Sequence, residues 1–320
     1  MKNKHKILFI IPLIVIMLSS CILPTSESEP YVTPTYYFCM NNLAGDNQVE
    51  LFETGYQGYP KIYVSNSDHA AYFSDENNVF MVNVETLDTL NITCDANGFA
   101  ISPDGEIAVF QQDKSFYKYV ISSGETSLLL QFYDTEISYP YFSSDGETLI
   151  FSTLYQNDST YTKKIRSYNI DENIMETLHT IEDEYVNWIR MPRYSVNDEN
   201  LYFEYISGLY RMNLSEREIF CIYQFNKNMR DYSVSDSENY LLYVNTSHDC
   251  YYLTSDGMDL TEIEYGFNYT FLNDQQLLYS RYGIFIYDVY SGNREEIIEL
   301  TRGVGYLKER EQIVYIRGIK

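Results

Sequence analysis

Histidine, the residue type that most often supplies metal ligands and general bases, is scarce in this 320-residue chain. Beyond the N-terminal segment it occurs at His69, His179 and His248, with no H-x-H or H-x₃-H pair that would place two imidazoles on one metal ion. We therefore interpret the three as surface or packing residues, and we expect no metal and no other cofactor.

Four cysteines follow the N-terminal segment, and none belongs to a C-x-x-C pair. All lie within or at the ends of strand-like runs, at Cys39, Cys94, Cys221 and Cys250. Small buried thiols are our first interpretation. Disulfides are the alternative in an exported chain, and Cys221–Cys250 is the first pair to test because their repeat units are neighbours.

Acidic residues dominate the charged composition. The chain has 46 Asp and Glu against 22 Lys and Arg, a net charge of −24. With acids so common, no pair can be singled out as a glycosidase dyad, and the sequence contains neither an EF-hand loop nor a G-x-S-x-G motif. Charge repulsion argues against nucleic acid and anionic lipid as partners. These features favour a protein that is not an enzyme.

One cluster of residues has the composition of a binding surface. The only tryptophan, Trp188, lies close in sequence to Tyr185 and Arg190. Aromatic rings beside a guanidinium suit sugar stacking or a protein hot spot. Tyr155 and Tyr161 flank a polar segment, QNDST, that we expect on the same face. The alternative is that Trp188 fills a gap between structural units.

The first 21 residues, MKNKHKILFIIPLIVIMLSSC, have a basic start and an apolar run at 7–18. That run is too short for a bilayer-spanning helix, which needs about 20 residues. Its end, LSSC, resembles the lipobox of bacterial lipoproteins. The resemblance implies a signal peptide over residues 1–20 and a lipidated N-terminus at Cys21, carrying diacylglycerol and an amide-linked chain such as palmitate. Two signals of this kind anchor a protein stably.

The segment at 21–35 is rich in Ser, Pro and Glu and has no periodic apolar pattern. We predict a flexible tether that holds the following domain, residues 36–320, up to about 40 Å from the membrane. We therefore expect the protein at the cell membrane, facing outside the cytoplasm and attached through its lipid anchor alone. An ordinary signal peptide with a chance cysteine is the alternative.

The elements that must position these residues are repeats. An acidic turn between two apolar runs, as in ISPDGEIAVF, recurs at intervals of 35 to 53 residues. Aligned on its acid, the series is Asp68, Asp104, Asp145, Asp198, Asp236, Asp274 and Glu309. Such a period is typical of a solenoid, a propeller or an array.

Each repeat predicts four short antiparallel strands, because a second tight turn follows the first, marked by Gly124, Gly257 and Gly292. Six full units are followed by two spare strands at the C-terminus and preceded by two at the N-terminus. The sequence therefore predicts an all-β fold, a propeller of seven four-stranded blades. Strands from both chain ends share the last blade and close the ring.

The best copies of the turn are SPDG, with Asp104 and Gly105, and SSDG, with Asp145 and Gly146. Followed by an apolar strand, they resemble the repeat of TolB-type propellers, which also builds the propeller domains of prolyl-oligopeptidase-like peptidases. The resemblance covers most of residues 36–320 and implies a fold rather than a function. TolB has a second, α/β domain and no lipid anchor, so its partner binding does not transfer. Single-propeller bacterial lipoproteins are the nearer match.

The longest repeat interval contains about fifteen extra residues. They fall in the segments YQNDSTY and EDEYVNWIRM, which emerge on one face of an up-and-down meander. Insertions in repeat proteins often mark the binding face. We therefore expect a monomeric, non-enzymatic binding or scaffold protein whose protein or glycan ligand docks beside Trp188.

Two other functions stay open. A polysaccharide lyase or glycoside hydrolase could work in the propeller channel, and it would need carboxylates or histidines clustered at the inner-strand ends. A component of envelope assembly would instead have another lipoprotein as its partner, which crosslinking in cells would distinguish from a glycan.

Overall fold

The computed structural model describes residues 35–42, 48–54, 61–64, 70–74, 78–83, 86, 88–94, 98–138, 140–225, 229–263, 265–299, 301–307 and 312–319. Their regular structure is entirely β-strand, and the strands lie in one compact unit, Thr35–Ile319. Within these ranges no helix is long and apolar enough to cross a membrane. The predicted signal peptide, Cys21 and nearly all of the tether lie outside the described residues.

The strands form seven antiparallel sheets arranged as the blades of a propeller. In chain order they are β1 (Thr35–Asn42), β2 (Val49–Thr54); blade 1, β3 (Lys61–Val64), β4 (Ala70–Ser74), β5 (Asn78–Asn83), β6 (Thr89–Cys94); blade 2, β7 (Gly98–Ile101), β8 (Ile107–Gln112), β9 (Ser115–Val120), β10 (Glu125–Gln131); blade 3, β11 (Thr135–Ile137), β12 (Tyr141–Phe142), β13 (Thr148–Asn157), β14 (Thr160–Asn169), β15 (Ile174–Asp183); blade 4, β16 (Arg190–Tyr194), β17 (Asn200–Tyr205), β18 (Gly208–Asn213), β19 (Ile219–Gln224); blade 5, β20 (Met229–Val234), β21 (Tyr240–Asn245), β22 (Cys250–Thr254), β23 (Leu260–Ile263); blade 6, β24 (Phe267–Asn273), β25 (Gln276–Ser280), β26 (Gly283–Asp288), β27 (Arg294–Glu299); and β28 (Thr301–Leu307), β29 (Gln312–Ile319).

The closing blade confirms the prediction that the two chain ends share a sheet. Its strand order is β2-β1-β29-β28, and β1 pairs with β29 in unbroken antiparallel register from Thr35↔Ile319 to Asn42↔Gln312. The inner strand β28 contacts the inner strands of both flanking blades, β24 and β3. The ring is therefore closed by strand pairing within one blade and by packing on each side of it.

The hydrophobic core lies between blades rather than inside them. One cluster joins Val109 and Phe116 of blade 2 to Leu149 and Phe151 of blade 3, and the Phe116 and Phe151 rings meet edge to face with centroids 5.0 Å apart. Equivalent clusters lie between the other successive blades, from blade 1 to the closing blade. Burial of one such ring contributes about 1.5–3 kcal/mol. The stability of each blade thus depends on its two neighbours.

The repeated turn is fixed by its own side chains. Ser102 Oγ donates to Asp104 Oδ1 at 2.5 Å and accepts the amide of Ile107 at 2.9 Å. Asp104 Oδ1 also accepts the amide of Glu106 at 3.0 Å. Gly105 has φ 77°, a conformation that costs glycine little. The same bonds recur around Ser143, Asp145 and Gly146, so the predicted turn residues have the structural role expected of them.

The later copies of the turn require a correction of register. Asp198 was expected to match Asp104, but Asn197 takes that place and Asp198, with φ 56°, stands where the first copies have glycine. In blade 5 Glu238, with φ 58°, holds the glycine position, so Asp236 is not the turn acid either. The inner strand of blade 3 also departs from the prediction, because it is divided into β11 and β12, which both pair with β13.

The non-glycine residues at this turn link successive blades. Asp198 Oδ2 accepts the amide of Ser144 at 2.8 Å, across the boundary between blades 3 and 4. Glu238 Oε2 accepts the Asn200 side-chain amide at 3.1 Å, between blades 4 and 5. These bonds offset the cost of a left-handed conformation in a residue other than glycine.

Two faces of the ring follow from the meander. The face that we call the connection face carries the blade-to-blade connections and the hairpins between second and third strands, at residues 132–134, 158–159, 184–189, 206–207 and 281–282. The opposite face, the turn face, carries the repeated turns, at residues 102–106, 143–147, 195–199 and 235–239. Both predicted insertions lie on the connection face, as a lengthened β13–β14 hairpin and the 184–189 connection.

A pair of glycine substitutions tests the blade-to-blade packing. Gly124 and Gly257 both have φ near 70°. At Gly124 an added Cβ would lie 3.7 Å from the nearest atom, whereas at Gly257 it would lie 2.1 Å from the carbonyl oxygen of Ile222 in blade 4. We expect Gly124→Ala to cost about 1–2 kcal/mol through backbone strain. Gly257→Ala should cost about 1–3 kcal/mol more through the clash. Urea unfolding of both variants measures the difference, and equal losses would contradict the described packing of blades 4 and 5.

Candidate functional site

A cavity of about 700 Å³ opens at the connection face, where the inner strands of blades 4 to 6 begin. Its lining combines charged and aromatic side chains from several blades, including Trp188, Arg190, Arg230, His248 and Phe267. The volume lies in the range of small-molecule binding sites. The meander places all these residues on one end of the ring although they are far apart in sequence.

Trp188 and Arg190 are positioned by the connection between blades 3 and 4. Ile189, which separates them, is buried, and its carbonyl accepts a hydrogen bond from Ser152 Oγ at 2.6 Å. The pairing of β16 with β17 becomes irregular immediately after Arg190, and such bulges redirect side chains. The backbone is therefore anchored at Ile189, with its two neighbours in the cavity lining.

A buried ion pair lies at the start of the same connection. Asp183 accepts hydrogen bonds from the Lys163 ammonium and the Tyr205 hydroxyl, and from the backbone amide of Tyr185 at 2.8 Å. Burial raises the pKa of the Asp183 carboxyl, but these bonds and the Lys163 charge lower it by more, so the net pKa lies below its usual value. Lys163 is fully buried. The cluster ties blade 3 to blade 4 beside the segment that holds Trp188.

Between blades 4 and 5 the cavity is bordered by charged and polar side chains that are paired with one another or hydrogen-bonded to the backbone. Arg193 pairs with Asp231 at 2.7 Å and donates to the carbonyl of Tyr232 at 2.6 Å. The buried Tyr232 hydroxyl donates to the carbonyls of Met191 and Tyr202, at 2.5 and 2.8 Å. Burial raises the pKa of Tyr232 far above its ordinary value, so this hydroxyl stays protonated. These bonds make the wall rigid.

Arg230 and His248 form the blade 5 side of the cavity. The Arg230 guanidinium contacts the imidazole of His248 and lies 5.9 Å from the ring centroid of Phe267. Burial, and then the Arg230 charge, lower the pKa of His248, so the imidazole is neutral at neutral pH. At neutral pH the positive charge on this side therefore belongs to the arginine.

A buried carboxyl lies in the strand paired with Arg190. Glu204 is 4% exposed, and its Oε1 accepts the amide of Met229 at 3.3 Å. Within the described part of the chain its Oε2 has no hydrogen-bond partner. Burial raises the pKa of Glu204, and the charge of Arg190 lowers it by less. Arg190 thus favours the ionised form of the Glu204 carboxyl, whereas burial disfavours that form.

Exposed aromatic residues also lie on the connection face, outside the cavity lining. Tyr185 is 67% exposed and Tyr282 is 73% exposed, and Tyr133, Tyr155 and Tyr265 are exposed as well. Tyr, Trp and Arg are the residue types that dominate binding hot spots. This aromatic rim gives the face the chemistry of a binding surface.

The predicted binding residues are brought to one face but not to one cavity. Trp188 and Arg190 line the main cavity. Trp188 and Tyr161 line a smaller neighbouring recess of about 500 Å³. Tyr155 and Tyr185 line neither and belong to the exposed aromatic rim. Whether these residues bind a ligand stays a prediction.

The two described histidines lie in different blades. His179 lies half-buried in the outer strand β15 of blade 3, whereas His248 lines the cavity in blade 5. His69 lies outside the described residues. Among the residues described, no group of three His, Cys, Asp or Glu is arranged to hold a metal ion.

The cysteines whose side chains are described are in the thiol form, with no disulfide between them. Cys39 and Cys250 are buried, as expected, whereas Cys221 is exposed on the outer strand of blade 4. The Cys221–Cys250 pair is therefore not bonded, because one thiol faces solvent and the other packs between blades 5 and 6. Nothing is described of the Cys94 side chain.

Arg230, His248 and Phe267 are cavity residues that the sequence analysis missed. The structural register shows the signal for Arg230, because Ser195 and Ser235 hold the same place in the turns of blades 4 and 5, and Arg190 and Arg230 each lie five residues before that serine. Alignment on Asp198 and Asp236, as in the sequence analysis, hides this equivalence. His248 and Phe267 had no comparable signal.

Comparisons with known proteins show the fold. No protein-family model matches the chain, and no curated protein matches it. A putative TolB from Agrobacterium tumefaciens is 13% identical, covering 90% of this chain and 100% of that one, with a TM-score of 0.52. An oligogalacturonate lyase from Vibrio parahaemolyticus is 11% identical, covering 90% and 98%, with a TM-score of 0.63. The Cps50 (Swd1) propeller domain from Myceliophteria thermophila is 10% identical, covering 83% and 99%, with a TM-score of 0.57.

These similarities show that the fold is a β-propeller, similar to those of TolB, the lyase and Cps50. The sequence identities are low, and one of these structures is named as an enzyme whereas TolB is not. The similarities therefore establish the architecture and not the function.

The ion pair beside the Trp188 segment gives a testable prediction. Asp183→Asn leaves the buried Lys163 without its counter-charge and should lower the free energy of unfolding by about 3 kcal/mol at neutral pH. Folding lowers the pKa of Asp183. Its contribution to the free energy of unfolding is therefore complete above about pH 4, the pKa of an Asp in the unfolded chain, and is lost as pH falls through the lower pKa of the folded state. The variant and the wild type should therefore converge in acid.

Urea unfolding at neutral pH and near pH 3 measures this convergence. Glu182→Gln is the control, because its exposed side chain lies next to Asp183 on the same strand and should change stability by less than about 0.5 kcal/mol. A stability difference between Asp183→Asn and wild type that is independent of pH would refute the ion-pair account.

Proposed function

We propose that this chain is a lipid-anchored, extracytoplasmic propeller that binds a protein or glycan ligand on its connection face. The observation that carries the proposal is the coincidence of three features there. The two insertions of blade 3, the cavity lined by Trp188 and Arg190, and the exposed aromatic rim all lie on this face. Loops on a rigid scaffold are the usual place for binding residues.

Strand direction relates this face to the predicted anchor. β1 is the third strand of its blade, and its first residue, Thr35, pairs with Ile319 at the end of the blade where β28 begins. That end belongs to the connection face. A chain tethered through Cys21 would thus enter the propeller on the face that carries the cavity, within about 40 Å of the bilayer.

A pull-down from intact cells tests the binding face. The lipidated wild type and a Trp188→Ala, Tyr155→Ala double variant would be compared, with bound protein and bound glycan both identified. We expect the partner to be reduced at least tenfold with the double variant, because hot-spot aromatics each contribute about 2 kcal/mol. The matched control is Met258→Ala, Tyr290→Ala, which removes exposed side chains from the turn face.

Equal recovery with both double variants would move the site away from the connection face. Loss with both would mean that the substitutions act through folding, and the thermal unfolding of each variant distinguishes that case.

The orientation relative to the membrane makes a separate prediction. In a Cys94→Ser, Cys221→Ser background, which removes the exposed thiol among the described cysteines together with Cys94, Tyr185→Cys and Tyr290→Cys would each be labelled with a fluorophore. On the lipidated protein in vesicles, the label at position 185 should be quenched more strongly by a headgroup-attached quencher than the label at position 290. Energy transfer falls steeply with distance, so stronger quenching at position 290 would reverse the assignment.

An enzyme is the second candidate, favoured by one observation. The cavity has a neutral His248 in its wall, and the buried Glu204 lies directly opposite the lining residue Arg190 in the strand paired with it. One structural neighbour is named as an oligogalacturonate lyase. Incubation of the protein with envelope and plant polysaccharides, followed by an assay for new chain ends, tests this candidate. Turnover that is lost in Glu204→Gln would replace binding with catalysis.

A further inference from the structure

Some of the described side-chain cations in this acidic protein have a carboxylate partner. Lys114 pairs with Glu136 at 3.1 Å, Arg217 pairs with Glu176 at 2.8 Å, and Lys163 and Arg193 pair as described above. Arg190 and Arg230 are not among these paired cations. Among the described residues neither has a carboxylate oxygen within 4 Å, although each is exposed at the cavity.

The cavity is positively charged in a protein that is otherwise strongly negative. Asp231 is the only carboxylate among its described lining residues, and Arg193 neutralises it. Arg190 acts on the buried Glu204 from a distance greater than that of an ion pair. Arg230 contacts His248, which carries no charge at neutral pH. Two guanidinium groups therefore have hydrogen-bond donors available in the cavity.

Aromatic rings accompany the two arginines. Trp188 lies two residues before Arg190 in the chain and lines the same cavity, and Phe267 lies under the Arg230 guanidinium. Tyr269, also in the lining, stacks on Tyr279 with centroids 5.0 Å apart and so has a fixed ring plane. Guanidinium groups recognise carboxylate and phosphate with paired N–H donors, and aromatic faces pack against apolar ring surfaces.

We propose that the cavity binds an acidic sugar, whose carboxylate or phosphate lies between Arg190 and Arg230 and whose ring packs against Trp188. The proposal deepens the binding function above and rests on it. A ligand small enough to enter the cavity meets the local field of the arginines. An acidic protein would instead face the repulsion of the whole chain, with its charge of −24. The cavity volume suits an oligosaccharide of a few rings.

The single tryptophan supplies the measurement, because Trp188 lines the cavity and no other tryptophan contributes to the emission. The full lipidated chain in detergent would be titrated with a glucuronate-containing tetrasaccharide, with a sugar phosphate, and with a neutral tetrasaccharide of the same linkage. We expect a saturable change of Trp188 fluorescence with one or both of the acidic sugars. The neutral sugar should bind at least tenfold more weakly, and added salt should weaken the binding of the acidic sugars.

Arginine substitutions then test the assigned contacts. Arg190→Gln and Arg230→Gln should each weaken binding of the acidic sugar about tenfold or more, because each removes a charged hydrogen-bond donor. Arg217→Gln is the matched control, since Arg217 lies in a hairpin of the turn face and has a carboxylate partner. It should bind as the wild type does. Far-UV circular dichroism and thermal unfolding establish that each variant is folded.

Three outcomes would overturn the inference. They are equal affinity for acidic and neutral sugars, unchanged affinity in both arginine variants, and a saturable response to a glutamate-rich peptide alone. The comparison of carboxylate and phosphate sugars identifies which anion is bound. If no sugar changes the fluorescence while the pull-down still captures a partner through the connection face, the acidic-sugar inference fails and the binding function stands. If the pull-down fails as well, both fall.

Discussion

The pairing of β1 with β29 is the interaction on which the rest of the structure depends. It joins the first and last described strands over eight residue pairs and completes the one blade that is not continuous in sequence. A core cluster joins the closing blade to blade 6, and its inner strand β28 contacts β3 of blade 1, so an open ring would lose the packing on both sides of this blade. A single strand pairing thus supports the closure of the whole ring.

The fold was predictable because the turn that defines each blade is local chemistry. Ser102, Asp104 and Gly105 make their bonds within six residues, so the pattern is legible in the sequence. The register error at Asp198 and Glu238 has a physical cause. Their left-handed conformations are stabilised by hydrogen bonds from adjacent blades, and such a compensation belongs to tertiary structure.

The site was predictable only where it coincided with an insertion. Trp188 and Arg190 lie in extra residues that break the repeat, and a break in a period can be seen without a structure. Arg230 and Phe267 lie in inner strands of regular repeats, without an insertion that would mark them in the sequence, and only the closed ring brings them to one cavity. Lys163 is the extreme case. It lies in a polar strand, TYTKKIRSYN, yet it is fully buried, because a partner from the end of the next strand satisfies its charge.

The location of the chain end on the cavity face follows from strand parity. In a meander, odd-numbered strands of a blade run from the connection face to the turn face. Because β28 and β29 supply the first two strands of the closing blade, β1 is the third and must begin on the connection face. Had the C-terminus supplied one strand or three, the chain would have entered on the turn face. The way the ring is closed therefore also determines the face on which the first described strand begins, independently of the sequence of any loop.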